Sequence, residues 1–320
     1  MHPGGWKVRI AAGALMLAGV ACPRCEPDSK REPATPPAAA RPAPVDANAA
    51  KLERGRYLVE AVLACGACHS ERDTTRYGGP VQGAPLAGAC QGPEWGFPGR
   101  VCAPNITSDA EHGIGRWTDE ELLRALREGK GRDGRTLFPS MPYLVWRSLS
   151  DEDAHAVVAH LRQVPAVARA TPRTEIPEAV YADIQELAQP LEGPVPAPDA
   201  SAQGQYLATI GQCALCHGGM GPDAQPFEGG VPVPTPYGPE TVPGLLPHGD
   251  VLRGLGEDAF VARFTAWKDV APAPSREGQV NKLVMPWGFF ARMHEDDLRA
   301  VYRHLQSVPA PSGTAAHPGE

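Results

Sequence analysis

Cys65-Gly66-Ala67-Cys68-His69 and, 148 residues later, Cys213-Ala214-Leu215-Cys216-His217 are the stretches on which the fold turns. On a helix, positions i, i+3 and i+4 share one face, so the two thiols and the imidazole of each pentapeptide point the same way. Cys-x-x-Cys-His in that geometry reads as a c-type haem attachment site. Cys65 and Cys68, and again Cys213 and Cys216, would each form thioethers to a porphyrin, and His69 and His217 would bind the iron from one side. Two copies predict two covalently bound haem c groups and a role in electron movement.

Outward from the pentapeptides the chain repeats itself. Met141-Pro142 through Val164-Pro165 aligns without a gap to Met285-Pro286 through Val308-Pro309, 144 residues on. Upstream, Gly55-Arg56-Tyr57-Leu58 matches Gly204-Gln205-Tyr206-Leu207. A period of this length signals two similar domains in tandem. The expected division is a leader at 1–25, a disordered Pro/Ala-rich tether at 26–50, a first domain at 51–168, a linker at 169–200, a second domain at 201–310 and a tail at 311–320. Within the linker, Glu178 to Leu187 has the composition of a short helix.

The expected fold class is all-α, with each domain wrapped round one haem. A first helix runs from about Leu52 into Cys65, with Tyr57, Leu58, Ala61 and Val62 on one stripe. A second opens at Thr118-Asp119-Glu120-Glu121, which has the form of a capping box, and ends at Gly129. The last opens at Ser150, carries Asp151, Glu152 and Asp153 at the positive end of its dipole, buries Ala154, Val157, Val158 and Leu161, and stops at Pro165. Leu298, Val301, Tyr302 and Leu305 repeat that stripe before Pro309.

An electron-transfer haem usually has both axial positions filled. Met141 and Met285 are the candidates for the second ligand of each iron. Each precedes a proline, which biases it toward extended backbone, and each lies just before the final helix in the same repeat register. The alternative is a pair of core methionines. Met293 aligns with Leu149 and reads as core; Met220 lies too close to His217 to reach the opposite face. His112, His155, His248 and His294 lack a repeat partner. His160 and His304 correspond but lie off the apolar stripe of the final helix, so both are expected at the surface. Trp117, Trp146 and Trp287 are either haem-edge residues or ordinary core aromatics.

Length and composition fit this division. A chain of 320 residues suffices for about two domains. With 35 Gly, 36 Pro and 6% aromatic residues, a flat apolar group to pack against would help each domain build a core. The net charge of −7 and the lack of a basic block exclude nucleic acid as a partner class. Of the eight cysteines, Cys90 and Cys102 form a disulfide candidate, whose short loop would contribute about 3 kcal/mol; free thiols or zinc are the alternatives. The leader has Lys7 and Arg9 before the apolar run Ile10 to Ala21, which reads as an export signal and is short for a bilayer span. Cys22 follows directly, and its placement resembles that of a lipidated bacterial cysteine, although Gly19 stands where that pattern has a Leu-like residue. Cys22-Pro23-Arg24-Cys25 is followed by Glu26 and so is no third haem site.

With these motifs placed, the chain resembles a di-haem class I cytochrome c over about residues 51–310. Asn105-Ile106-Thr107, Gly113-Ile114-Gly115-Arg116-Trp117-Thr118-Asp119 and Met141-Pro142-Tyr143 form a series similar to that of the cytochrome c subunits of bacterial membrane-bound alcohol and gluconate dehydrogenases. Met285-Pro286-Trp287-Gly288-Phe289 is a more general cytochrome c feature. Those subunits usually carry three haems, against two motifs here. The resemblance implies haem-binding roles for Cys65, Cys68, His69, Cys213, Cys216 and His217, axial roles for Met141 and Met285, and a non-enzymatic carrier or dehydrogenase subunit; the leader places it in the periplasm or at the outer face of the cytoplasmic membrane. It would take electrons from a dehydrogenase or quinol-oxidising complex and give them to an oxidase or another cytochrome, with membrane contact through a lipid on Cys22. The competing expectation is a di-haem enzyme, such as a peroxidase or a thiosulfate-oxidising cytochrome, which needs one iron open to substrate.

Overall fold

The computed structural model describes residues 46–218, 225–268 and 282–309. The leader, Cys22, most of the tether, Met220 and the tail lie outside the described residues. Helix starts earlier than the apolar stripe indicates: α1 spans Ala47–Tyr57, capped by the Asp46 carboxylate accepting from the Asn48 amide. The last residues of the expected tether are therefore helical. A single π-helical turn, Leu58–Val62, follows. Its wider loop breaks the 3.6-residue stripe, so Val59 is buried along with Leu58, Ala61 and Val62. The chain then reverses at Ala64 into α2 (Gly66–His69).

A short antiparallel hairpin, β1 (Ala89–Gln91) and β2 (Val101–Ala103), places Cys90 opposite Cys102, and the two are bonded at an S–S distance of 2.08 Å. Next comes α3 (Asp119–Glu128), which opens with the expected capping box: the Thr118 hydroxyl accepts from the Glu121 amide and the Glu121 carboxylate from the Thr118 amide. It closes at Gly129 with φ 73°, a left-handed conformation that suits glycine. After α4 (Tyr143–Trp146) comes α5 (Asp151–Leu161), capped by the Ser150 hydroxyl. In the connecting segment α6 spans Glu178–Ile184 and a 3-10 turn continues to Leu187, as composition suggests.

The same order then recurs: α7 (Gln203–Ile210), α8 (Cys213–Gly218), the hairpin β3 (Val231–Val233) and β4 (Glu240–Val242), α9 (Glu257–Thr265), α10 (Trp287–Phe290) and α11 (Glu295–Ser307). Among the described residues no helix is long and apolar enough to cross a membrane.

Packing repeats as well. In the first half α1 lies on α5, and in the second α7 lies on α11. Glycine makes both approaches close: a Cβ on Gly55 would stand 1.9 Å from the Ala156 carbonyl oxygen, and one on Gly204 2.0 Å from that of Ala300. This approach overturns one expectation. His160 and His304 are half-buried rather than at the surface, because each Cβ packs beside the facing glycine; burial lowers the pKa of both imidazoles.

The halves share one apolar core, in which Tyr57, Leu58, Trp146 and Leu149 meet Leu207, Ile210 and Leu298. Polar bonds cross between them in both directions. The Tyr57 hydroxyl donates to Asp297 Oδ2 at 2.6 Å, and the Tyr206 hydroxyl donates to Asp153 Oδ2 at 2.7 Å. Trp146 Nε1 donates to the Ile210 carbonyl at 2.8 Å, so Trp146 is a core residue joining the halves.

Candidate haem-attachment sites

Both pentapeptides follow a residue held in the left-handed region. Ala64, before Cys65, has φ 48°, and Gln212, before Cys213, has φ 62°. Neither is glycine, so each conformation costs about 1–2 kcal/mol. That such a bend recurs in one register marks the positions as constrained by the site.

The two histidines are oriented alike. His69 Nδ1 lies 2.7 Å from the Pro104 carbonyl oxygen, and His217 Nδ1 lies 2.7 Å from that of Pro243. A carbonyl can only accept, so Nδ1 carries the proton and the lone pair is left on Nε2. The two prolines are equivalent, each following the second strand of its hairpin. The histidine carbonyls are fixed too, by the amides of Gly88 and Gly229 at 2.8 and 2.7 Å; both glycines have positive φ, 89° and 77°. Burial lowers the pKa of both imidazoles, which favours the neutral, ligating form. The sequence reading missed Pro104 and Pro243. Their only trace is a proline after each β segment, and the different loop lengths hide the correspondence.

Cys65, Cys68, Cys213 and Cys216 are all free thiols. Burial pushes Cys65 and Cys213 up to about 12. Cys68 and Cys216, the second thiols of the two motifs, are exposed. Among the described residues no three His, Cys, Asp or Glu side chains converge on a metal-type site, which leaves the zinc reading without support.

Met141 and Met285 sit in matching turns. The Tyr143 amide donates to the Met141 carbonyl and the Trp287 amide to the Met285 carbonyl, both at 2.8 Å. Pro142 (φ −84°, ψ 47°) and Pro286 (φ −79°, ψ 60°) form the centre of each, the geometry of an inverse γ-turn. Both methionines are only partly buried against the core, whereas Met293 and Leu149 are buried within it. His155 and His294 are exposed, the first bonded to the Asp151 carbonyl and the second stacked on Tyr57. Trp287 packs against Phe264 and Trp267.

The first-half motif series has a structural basis. Buried Asn105 donates to the Val167 and Arg169 carbonyls and accepts from both the amide and hydroxyl of Thr107. A Cβ on Gly113 or Gly115 would lie 2.3 Å from the Thr107 or Ser108 carbonyl oxygen. These contacts hold the segment after Pro104, and hence the acceptor for His69.

Paired free thiols, an imidazole with Nε2 as its open donor and a methionine in a proline-fixed turn form a donor set that fits a covalent haem. His69 with Cys65 and Cys68 would hold one, and His217 with Cys213 and Cys216 the other.

Comparison with known proteins agrees with this chemistry. The cytochrome c family model matches residues 52–165. The cytochrome c subunit of a quinone-type alcohol dehydrogenase from Gluconobacter oxydans is 29% identical over 293 residues, which cover 83% of this chain and 56% of that protein. The gluconate 2-dehydrogenase cytochrome c subunit of Pantoea cypripedii is 33% identical over 187 residues, covering 53% of this chain and 38% of that protein. A diheme cytochrome c-type protein of Cereibacter sphaeroides is 28% identical over 233 residues, covering 66% of this chain and 73% of that protein. The chain spans roughly half or less of the two dehydrogenase subunits. Residues 52–165 therefore form a domain of the cytochrome c family, and the chain is related to the cytochrome c subunits of alcohol and gluconate dehydrogenases.

Proposed function

We propose that the chain is a two-haem electron carrier built from two tandem cytochrome c-like domains, working in the periplasm as a partner of a dehydrogenase or quinol-oxidising complex. The observation that carries this reading is the twofold recurrence of one arrangement. Histidine with Nδ1 held by a proline carbonyl at 2.7 Å, two free thiols in or at the start of the same short helix and a Met-Pro turn occur in each half.

Bound haem supplies a one-electron iron couple. The chain's own residues set its conditions. Pro104 and Pro243 fix the tautomer and ring orientation of His69 and His217, as outer partners of metal-bound imidazoles commonly do. Met141 and Met285 would close the remaining axial positions, which disfavours an iron that binds peroxide or another small substrate. A thioether ligand raises the potential relative to paired imidazoles. Export and lipidation at Cys22 would hold the carrier at the outer face of the cytoplasmic membrane beside its donor. The relatives' dehydrogenase assemblies support a dehydrogenase as the donor, with an oxidase or second cytochrome as acceptor.

The test is to mature the protein in a host that attaches haem c, count covalent haem per chain and add carbon monoxide to the reduced form. Two equivalents and slow, incomplete binding are expected. A single equivalent, or rapid stoichiometric binding at one iron, would overturn the carrier reading in favour of an enzyme.

A further inference from the structure

Arg72 lies four residues beyond Cys68 and has no part in haem attachment. Its guanidinium is spent on three backbone carbonyls. Nε donates to Gly79 at 2.7 Å, and Nη2 donates to Gly78 at 2.8 Å and to Leu283 at 3.1 Å. The first two bonds lock the fork inside its own loop. Gly78 and Gly79, at φ 74° and 53°, turn their carbonyls toward it, and a Cβ on Gly79 would stand 2.8 Å from Nη2. The third bond reaches the other half of the molecule, 211 residues away.

Leu283 is 1% exposed and stands two residues before Met285. Its amide is taken as well, donating to Glu240 Oε1 at 2.8 Å. Glu240 belongs to β4, the strand that leads to Pro243 and so to the carbonyl that orients His217. On the far side, the Met285 carbonyl is held by the Trp287 amide. Between these fixed points only Val284 is left to vary. A second, independent link joins the same two segments: Tyr77, from the Arg72 loop, stacks on Trp267 at 5.0 Å, and Trp267 stacks on Trp287 at 5.5 Å.

We infer that Arg72, a residue of the first half, is a positioning residue for Met285 in the second: its fork pins the backbone that presents the Met285 thioether to the second haem iron. This rests on the proposal that Met285 is an iron ligand. Lysine would keep the charge but not the fork, since one ammonium cannot meet three carbonyls in a plane. Glutamine would remove both.

The experiment uses the matured full chain with R72Q, R72K, M285A and M141A. It reads the thioether-to-iron charge-transfer absorption of the oxidised protein and a redox titration of both haems. M285A and M141A define each haem's share of the absorption. R72Q is expected to keep two covalent haems and to lose the share that M285A removes while keeping the share that M141A removes; one couple moves to lower potential and the other stays. R72K is expected to show the same loss in part. An unchanged absorption in both variants, or a loss in the M141A share, overturns the inference and leaves the carrier reading intact. If R72Q fails to mature with two haems, R72K decides by the same criterion. If M285A itself leaves the absorption unchanged, the ligand assignment falls and the inference falls with it.

Discussion

Asp153 and Asp297 occupy the same position in the two repeats, yet they are held by different partners. Asp153 takes a two-pronged bond from Arg54, Nε and Nη2 both at 2.7 Å, and a third from the Tyr206 hydroxyl across the interface. Asp297 takes the Tyr57 hydroxyl at 2.6 Å and, at 3.4 Å, the amide of Gln203, the repeat counterpart of Arg54. The tyrosine contacts are mirror images and the remaining contacts are not. The first carboxylate is buried and held by a guanidinium fork; the second is more open, bonded by neutral donors and approached by the His294 imidazole at 3.9 Å. The same bias runs through the rest of the molecule. The first hairpin has the Cys90–Cys102 bond and the second has no cysteines. A side chain caps both α3 and α5, whereas α9 and α11 have no side-chain cap. Local interactions specify the first half more completely, while the second leans on its neighbour.

The largest expected effect tests where the halves are alike. A methyl group at Gly55 or Gly204 would collide with a helix backbone that cannot move without parting α1 from α5 or α7 from α11. Gly55→Ala and Gly204→Ala should each cost about 4 kcal/mol, at the severe end for single substitutions. Chemical denaturation followed by circular dichroism measures this, and a change under 1 kcal/mol at either site would show that the close approach is not a shared constraint.

Next, Cys90→Ser with Cys102→Ser should remove about 3 kcal/mol, the chain-entropy value for so short a loop. The loss should appear in the first half alone, read as hydrogen exchange confined to residues near β1 and β2. Loss of protection that is equal around β3 and β4 would mean that the hairpins are coupled more tightly than their bonds suggest.

The smallest effect separates the two carboxylates. Asp153→Asn leaves the Arg54 fork facing a neutral amide and should cost about 2 kcal/mol. Asp297→Asn loses no direct guanidinium fork, only hydroxyl and amide bonds and a 3.9 Å imidazole approach, and should cost about 1 kcal/mol. Thermal melts of the two variants give the order directly, and a reversed order would refute the contrast.

Much of this was legible from residue spacing. The pentapeptides, the gapless repeat, the capping box at Thr118, the Ser150 cap and the Gly129 stop are short-range patterns with one dominant physical solution each. Cys90 and Cys102 were also a readable pair. What escaped depends on long-range partners that are backbone atoms. A carbonyl from Pro104, Pro243 or Leu283 leaves no side-chain signature, so neither the orientation of the histidines nor the Arg72 fork could be found by pattern. The misplacement of His160 and His304 has a similar origin. Stripe analysis assigns a face from one helix alone, whereas Gly55 and Gly204 bring a second helix onto the flank where the imidazoles lie. The π-helical turn at Leu58–Val62 likewise answers to burial on all sides, which a single stripe does not encode.

The exchange of tyrosine hydroxyls has a further consequence for how such a molecule can change over time. Each copy carries the donor that completes its sibling's acid, so a mutation in one is felt first in the other. The two repeats are therefore not free to vary as independent modules: a substitution at Tyr57 is judged by a residue encoded 240 codons downstream, and one at Tyr206 by a residue 53 codons upstream. The internal repeat is thus tied by mutual obligation: each half's carboxylate loses a donor when the other half loses its tyrosine.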